Sequence, residues 1–400
     1  MSVPNGVEWF QVFLGLLSIG AVPAPIDPSE PEEAQLDAAA SIGATHLWSS
    51  SRLFTLDAPC ARVGRDECLV KLTSASTGSA RGLPATHAQM AADGRQICRT
   101  MGIRASDLNL AAIPLGYSYG LGNLVVPLLA QGTPLVCSSS ALPQSIAADV
   151  SRFKPTVFPT VPPVLRALAS SDVAARALSS LRLVISAGSP LDPEVARSFA
   201  AKFRRRVRGF YGTSETGGIS FDRTGAATLA GRSVGLPLKG VTIRRSRPGR
   251  IIISSPSVLG TGRFSPADKA KIAKNGELVL LGRTDRVVKI AGRRADLGEI
   301  ERALKGTPGI RDAYAHIVQG PKPILAAAVA TDLDTPEVRR LLKGRLASWK
   351  VPTRVVALDR FPVTARGKAD TLRLRQLLAA PRTESSISTL SAARQISAPR

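Results

Sequence analysis

Short apolar runs alternate with helix-length segments from the amino-terminal region to about residue 240. Leu108–Pro114, Pro134–Cys137, Thr156–Phe158 and Leu181–Ala187 read as strands, and Pro162–Ala169 and Asp192–Phe203 read as helices between or beside them. Strands interleaved with helices bury both faces of a sheet, so the pattern predicts a layered, mostly parallel α/β domain. From about 234 to 285 the reading changes to β-rich pieces with glycine turns, at Val241–Arg244, Arg250–Ser254 and Glu277–Leu281. Beyond 285 a smaller α+β stretch follows, with helices expected near 298–305 and 335–348 and a disordered tail over 381–400, where Ser, Thr, Ala and Arg replace apolar periodicity. At 400 residues the chain suits two or three cores. The expected division is 1–285, with its β-rich subdomain over 234–285, then 286–380.

Charge narrows the partners. The chain carries 53 Lys+Arg against 30 Asp+Glu, a net +23, which steers anions toward it: nucleotides, nucleic acid, acidic proteins or a membrane surface. Residues 286–400 alone hold 22 Lys+Arg and 10 Asp+Glu, either a solvated basic face or an anion-binding one. Cys60, Cys68, Cys98 and Cys137 form no CxxC pair, and His46, His87 and His316 have no metal-ligand spacing, so zinc and a disulfide framework are disfavoured. Trp9–Ile26 is apolar, yet residues 1–8 lack Lys and Arg and Gln11, Ser18, Pro23 and Pro25 interrupt it. That excludes a signal peptide or spanning helix of the usual kind. A helix over about 6–19, stopped by Gly20, and a short strand over 21–26 are expected in a cytoplasmic protein.

The segment Leu72–His87, LTSASTGSARGLPATH, concentrates the chemistry. Thr73, Ser74, Ser76 and Thr77 stand with Gly78, and Arg81 lies close by. Such a loop can offer hydroxyls and backbone N–H groups to phosphate oxygens beside a neutralising cation, though Ser/Thr/Gly loops are more often plain turns. It is not a Walker loop, because GxxxxGK[ST] is absent. GTSETG at 212–217 misses the G-x-S-x-G nucleophile elbow by one position.

LTSASTGSARG resembles the phosphate loop of the adenylate-forming superfamily, which includes acyl-CoA synthetases, luciferases and peptide-synthetase adenylation domains. GFYGTSETGG at 209–218, LLGRTDRVVKIAGRRADLGEIE at 280–301 and FPVTARGKAD at 361–370 resemble three further motifs of that family, in the same order. The resemblance spans about residues 5–378. It implies an adenylation domain followed by a mobile lid domain, using ATP, Mg2+ and a thiol: CoA, or the phosphopantetheine of an acyl or peptidyl carrier protein. A fatty or aryl carboxylic acid would become an acyl-AMP, releasing pyrophosphate, and then pass to the thiol.

Residue by residue, the resemblance assigns Glu215 and Thr77 to magnesium and catalysis. It places Thr73, Ser74, Ser76, Gly78 and Arg81 on the phosphates, and Gly188 of SAGSPL, Tyr211, Gly212 and Thr213 on the AMP. Asp268 and Arg283 match ribose contacts, Asp285 the hinge, and Lys368 the catalytic lysine, a compact ammonium able to bridge carboxylate and α-phosphate. The chain departs from the family at Ala75, Ala80 and Arg81, and at Gly116–Tyr117, where an aromatic residue and histidine are usual. Gly116, Gly120 and Gly122 beside Tyr117 and Tyr119 either leave room for the acid or pack a turn. Two other classes stay open: a catalytically silent nucleotide- or acyl-binding homologue, and a basic nucleic-acid binder, for which no reading motif appears. Relatives carry a segment before the stretch matching Asn5–Pro28. An apolar face around Trp9, Phe10, Phe13 and Leu17 is therefore expected to lack cover, which an earlier start or a partner chain would supply.

Overall fold

A computed structural model describes residues 1–380 except 58, 75–79, 248, 284–285, 291–292, 320–322, 344, 347 and 365–367; at 74, 80, 283, 287, 289–290, 293–295, 343 and 348 it describes the backbone alone. The chain divides into two compact units, residues 1–284 and the remainder, with 365–368 grouped with the first. The expected tail, 381–400, lies outside the described residues.

The large unit is built on a seven-stranded sheet. Its parallel part runs, in spatial order, Leu135–Cys137, Asn109–Ala111, Val157–Thr160, Leu183–Ser186 and Val207–Thr213. Gly217–Phe221 and Leu236–Pro237 then add antiparallel to the edge. Period-two alternation sends Val157, Leu183 and Ile185 into one core with Ile97 and Met101 of the helix His87–Met101. Phe158, Val184 and Val207 enter the opposite core with helices Pro143–Phe153, Pro162–Ser170 and Pro193–Phe203. Burial on both faces is why these strands read as unbroken apolar runs. The mixed α/β class follows from this arrangement, with the parallel strands giving way to antiparallel pairs at one edge.

A separate antiparallel hairpin, Glu67–Ser74 with Ala80–Thr86, precedes the long helix. The β-rich region contributes a small sheet of Thr242–Arg245, Ile251–Ser254 and Arg263–Phe264, and a pair, Asp268–Ile272 with Leu278–Arg283. The second unit holds the sheet Ile310–Val318, Ile324–Thr331 and Arg354–Leu358. Helices Leu297–Lys305 and Thr335–Lys343 cover one face and Thr371–Ala379 the other. The helix expected to reach 348 stops at Lys343.

Two amino-terminal expectations need correction. Residues 21–26 form no strand; the segment is tied by single bonds, such as Val70 N–H to Pro23 O and Ile26 N–H to Met1 O. The helix Val7–Ser18 buries two of the four side chains named: Trp9 and Phe13 are 2% and 3% exposed, stacked at 4.8 Å and packed with Leu69, Met90 and Leu121, while Phe10 and Leu17 stay half-buried. The chain's own hairpin and long helix supply the cover that the sequence could not show. Burying each ring is worth about 2 kcal/mol. No helix among the described residues is long and apolar enough to cross a membrane.

Candidate active site

Parallel strands deliver their carboxyl ends to one rim of the sheet, where open α/β folds bind ligands. At that rim Leu183–Ser186 ends beside Val207–Thr213, with Ser186 opposite Gly209, and Gly188 follows in a left-handed turn at φ +88°. The next strand carries Tyr211, Gly212 and Thr213 into a tight turn, Ser214–Thr216, and returns as Gly217–Phe221. Gly212 is required here, since a Cβ would stand 2.4 Å from the Gly217 carbonyl oxygen. Thr216 is fully buried and its hydroxyl lies 3.1 Å from that of Thr213. Leu259 N–H donates to the Glu215 carbonyl at 2.9 Å and the Ser257 hydroxyl to the Thr216 carbonyl at 2.8 Å. With its backbone clamped from both sides, Glu215 stays half-buried at the turn.

Tyr211 donates its phenol proton to Asp268 Oδ2 at 2.8 Å, and Asp268 pairs in register with Arg283. A carboxylate beside a phenol at a strand end can accept from two neighbouring hydroxyls of a sugar. The hairpin Glu67–Ser74/Ala80–Thr86 sets Thr73 opposite Arg81 and Ser74 opposite Ala80. Thr73 donates to the Arg81 carbonyl over 3.4 Å, and the Arg81 side chain is exposed. The hairpin tip, with Ser76, Thr77 and Gly78, lies outside the described residues, as do Asp285 and the side chains of Ser74 and Arg283. Thr73, Arg81, Gly188, Tyr211, Gly212, Thr213, Glu215 and Asp268 thus all belong to the large unit. Lys368 is exposed in the bend before the helix Thr371–Ala379.

Glycine-rich 114–122 splits its two tyrosines. Tyr117 bonds through its phenol to Asp27, at a groove of about 330 Å³ that Asn5, Trp9 and Ser138 also line. Tyr119 points inward, donates to the Ile185 carbonyl at 3.2 Å, and burial pushes its phenol well above the usual range. Between them Ser118 donates to Ser214 at 3.0 Å, which joins this segment to the Glu215 turn.

The sequence reading missed two charged groups beneath the turn. Lys71 and Asp93 are each 2% exposed. Burial pushes the Lys71 ammonium down, while Asp93, Cys68 and Glu215 act against that; burial pushes the Asp93 carboxyl up, opposed by Lys71 and the Gly218 amide. A signal was present. Lys71 interrupts the apolar run of its strand, and Asp93 sits on the buried face of a helix at i+3 from Met90 and i−4 from Ile97.

Among the described residues no cluster of three or more His, Cys, Asp or Glu side chains could hold a metal. One half-buried carboxylate at Glu215 still suits magnesium, which keeps several waters and arrives coordinated to phosphates.

The rim is that of an open α/β fold, the kind that takes ligands at its strand ends. Residues 56–258 match the family model described as AMP-binding enzyme, and the chain belongs to that family. It is 27% identical over 374 residues to a feruloyl-CoA synthase from Amycolatopsis sp, covering 84% of this chain and 76% of that protein. Among solved structures, ATP-bound MatB from Rhodopseudomonas palustris is similar with a TM-score of 0.78 at 22% identity, over 94% of this chain and 88% of that one. The anthranilate CoA ligase AuaEII in complex with anthranoyl-AMP is similar with a TM-score of 0.74 at 20% identity, over 94% and 86%. These likenesses establish the fold as that of the adenylate-forming superfamily.

Proposed function

We propose that this chain activates a carboxylic acid with ATP and hands the acyl group to a thiol. The observation that carries the reading is the Tyr211–Asp268 pair beside the Glu215 turn at the sheet rim. In the first half-reaction a carboxylate oxygen attacks the α-phosphorus. The P–O bond to the β-phosphate breaks, and pyrophosphate leaves with that electron pair. Asp268 accepts from the ribose hydroxyls, with Tyr211 fixing its orientation; Arg283, next to it in the ladder, adds a cation toward ribose and phosphate. Glu215 and Thr77 would hold a magnesium ion, which would supply positive charge to the phosphates. Thr73, Ser74, Ser76, Gly78 and Arg81 hold those phosphates, while Gly188, Gly212 and Thr213 offer backbone and hydroxyl contacts to the adenosine. Lys368 brings an ammonium to the reacting carboxylate and α-phosphate, stabilising charge that develops in the transition state.

In the second half-reaction a thiol sulfur bonds to the acyl carbon, the C–O bond to AMP breaks, and the thiol proton goes to solvent. CoA or a carrier-protein phosphopantetheine supplies the thiol, the unit after 285 acts as the lid, and Asp285 is its hinge. An aryl acid is the favoured substrate class. The feruloyl-CoA synthase and anthranilate ligase named above support it. ATP–pyrophosphate exchange with a panel of aryl and fatty acids tests the reading. Exchange dependent on one acid class is expected. Nucleotide binding without exchange from any acid would identify a silent homologue instead.

A further inference from the structure

The strand Glu67–Ser74 turns Leu69 and Lys71 to the same buried side, each 2% exposed. Asp93, on the helix that faces them, is as deeply buried and seated on glycines from two other segments. Gly218 N–H donates to its Oδ1 at 2.8 Å; a Cβ at Gly217 would stand 2.4 Å from Oδ1, and one at Gly122 2.9 Å from Oδ2. That amide is the one hydrogen bond Asp93 makes among the described residues. The Lys71 ammonium makes no hydrogen bond or ion pair with a described residue, although Asp93 and Glu215 act on its charge. An interior ammonium and a carboxylate oxygen are thus close enough to influence each other, yet no direct bond joins them. Leaving such groups unpaired inside a protein is costly, so a bridging group belongs between them.

The place of the pair says what the bridge is. Gly122 belongs to the tyrosine-bearing segment, Gly217 and Gly218 follow the Glu215 turn, and the Ser118–Ser214 bond joins the two stretches. This inference rests on the reading given under Proposed function and adds to it that the body of the acid lies against those two stretches. Its far end then meets Lys71 and Asp93. We propose that Lys71 and Asp93 are specificity-determining residues that together bind a hydroxyl group on the acid substrate.

Chemistry selects the hydroxyl over its competitors. A hydroxyl donates to Asp93 and accepts from Lys71 at once. A second carboxylate would face Asp93 as a like charge, and an ammonium would face Lys71 in the same way. An apolar end would leave the ammonium and the second carboxylate oxygen without a partner, which is the circumstance in which a site rejects an analogue most strongly.

The test is exchange of pyrophosphate into ATP by the full chain with matched acids: benzoate and its monohydroxy isomers, cinnamate and its hydroxy derivatives, hexanoate and its hydroxy derivatives, together with amino- and carboxy-substituted benzoates. The expected result is a preference of about 100-fold or more in kcat/KM for the hydroxyl-bearing member of at least one matched set. Lys71→Met and Asp93→Asn should each pull that ratio toward one. Either single variant leaves its former partner uncompensated and can fail to fold. The double variant Lys71→Met/Asp93→Leu replaces the pair by apolar groups, a change that buried pairs often tolerate. It should fold and should favour the plain acid. Exchange with ratios below about 3 in every set, a stronger preference for the amino or carboxy acids, or an unaltered hydroxyl preference in the double variant would each overturn the proposal. Those results would leave acid activation standing. Failure of every acid to support exchange would instead overturn the activation reading and this inference with it.

Discussion

Asp107 shows how a single carboxylate can tie the sheet to its surroundings. Burial alone would disfavour the ionised carboxylate and push its pKa up. The Arg182 guanidinium, the Thr156 hydroxyl at 2.7 Å and the Arg104 amide at 2.8 Å outweigh that and hold the carboxyl at about 2. A folded-state value below the unfolded one means stability that is present above the unfolded value and lost as pH falls. Asp107→Asn should therefore cost about 1–2 kcal/mol at neutral pH, discounted because solvent reaches Arg182. The gap from the parent should close as pH falls from 3.8 through about 2, read from denaturant midpoints across that range. Gly217 makes a separate prediction. Its φ of +70° and the 2.4 Å approach of Asp93 Oδ1 to an added Cβ leave no room for a side chain. Gly217→Ala should lose about 2 kcal/mol or more and weaken adenylation by displacing the Glu215 turn. Scanning calorimetry and exchange rates on one preparation check both halves. The sequence shows the glycines of TGG but not that one of them makes room for a buried aspartate.

The helix His87–Met101 carries its start signal in the sequence. Thr86 and Gln89 stand in capping-box spacing: the Thr86 Oγ1 accepts from Gln89 N–H at 3.2 Å, and Gln89 Oε1 accepts from Thr86 N–H at 3.0 Å. Thr86→Ala should cost about 1 kcal/mol, seen as a lower denaturant midpoint with an unchanged slope. An unshifted midpoint would mean that the Gln89 side-chain amide, which also donates to the Val258 carbonyl at 3.2 Å, holds the helix end by itself. Elements with a strong local pattern match their expected positions to within a residue or two: Asp192–Phe203 is expected and Pro193–Phe203 observed, Leu181–Ala187 expected and Leu183–Ser186 observed. The reading failed at 21–26, where apolar and proline residues alternate without strand pairing. Proline cannot donate to a ladder, and four of those six residues are proline or directly precede one.

At the scale of the molecule, Lys368→Ala separates the two proposed half-reactions. Adenylate formation should fall by about 10²–10³, the usual effect of deleting one positioned electrostatic contact. Thioester formation from supplied acyl-adenylate should persist. Single-turnover assays of each half-reaction check this, and equal adenylation in variant and parent would remove the lysine from the mechanism. The sequence by itself determined the layered α/β class, through its apolar runs, and the order of the motifs, because those depend on local spacing alone. It also marked Tyr211, Glu215 and Asp268 as companions through family resemblance, without showing the bond from Tyr211 to Asp268. Only the tertiary structure decided what covers Trp9 and Phe13, which tyrosine of 117 and 119 turns inward, and that Lys71 and Asp93 share one interior. Each of these depends on contacts between segments far apart in the chain, and no local periodicity encodes which distant surface will arrive to bury a given side chain.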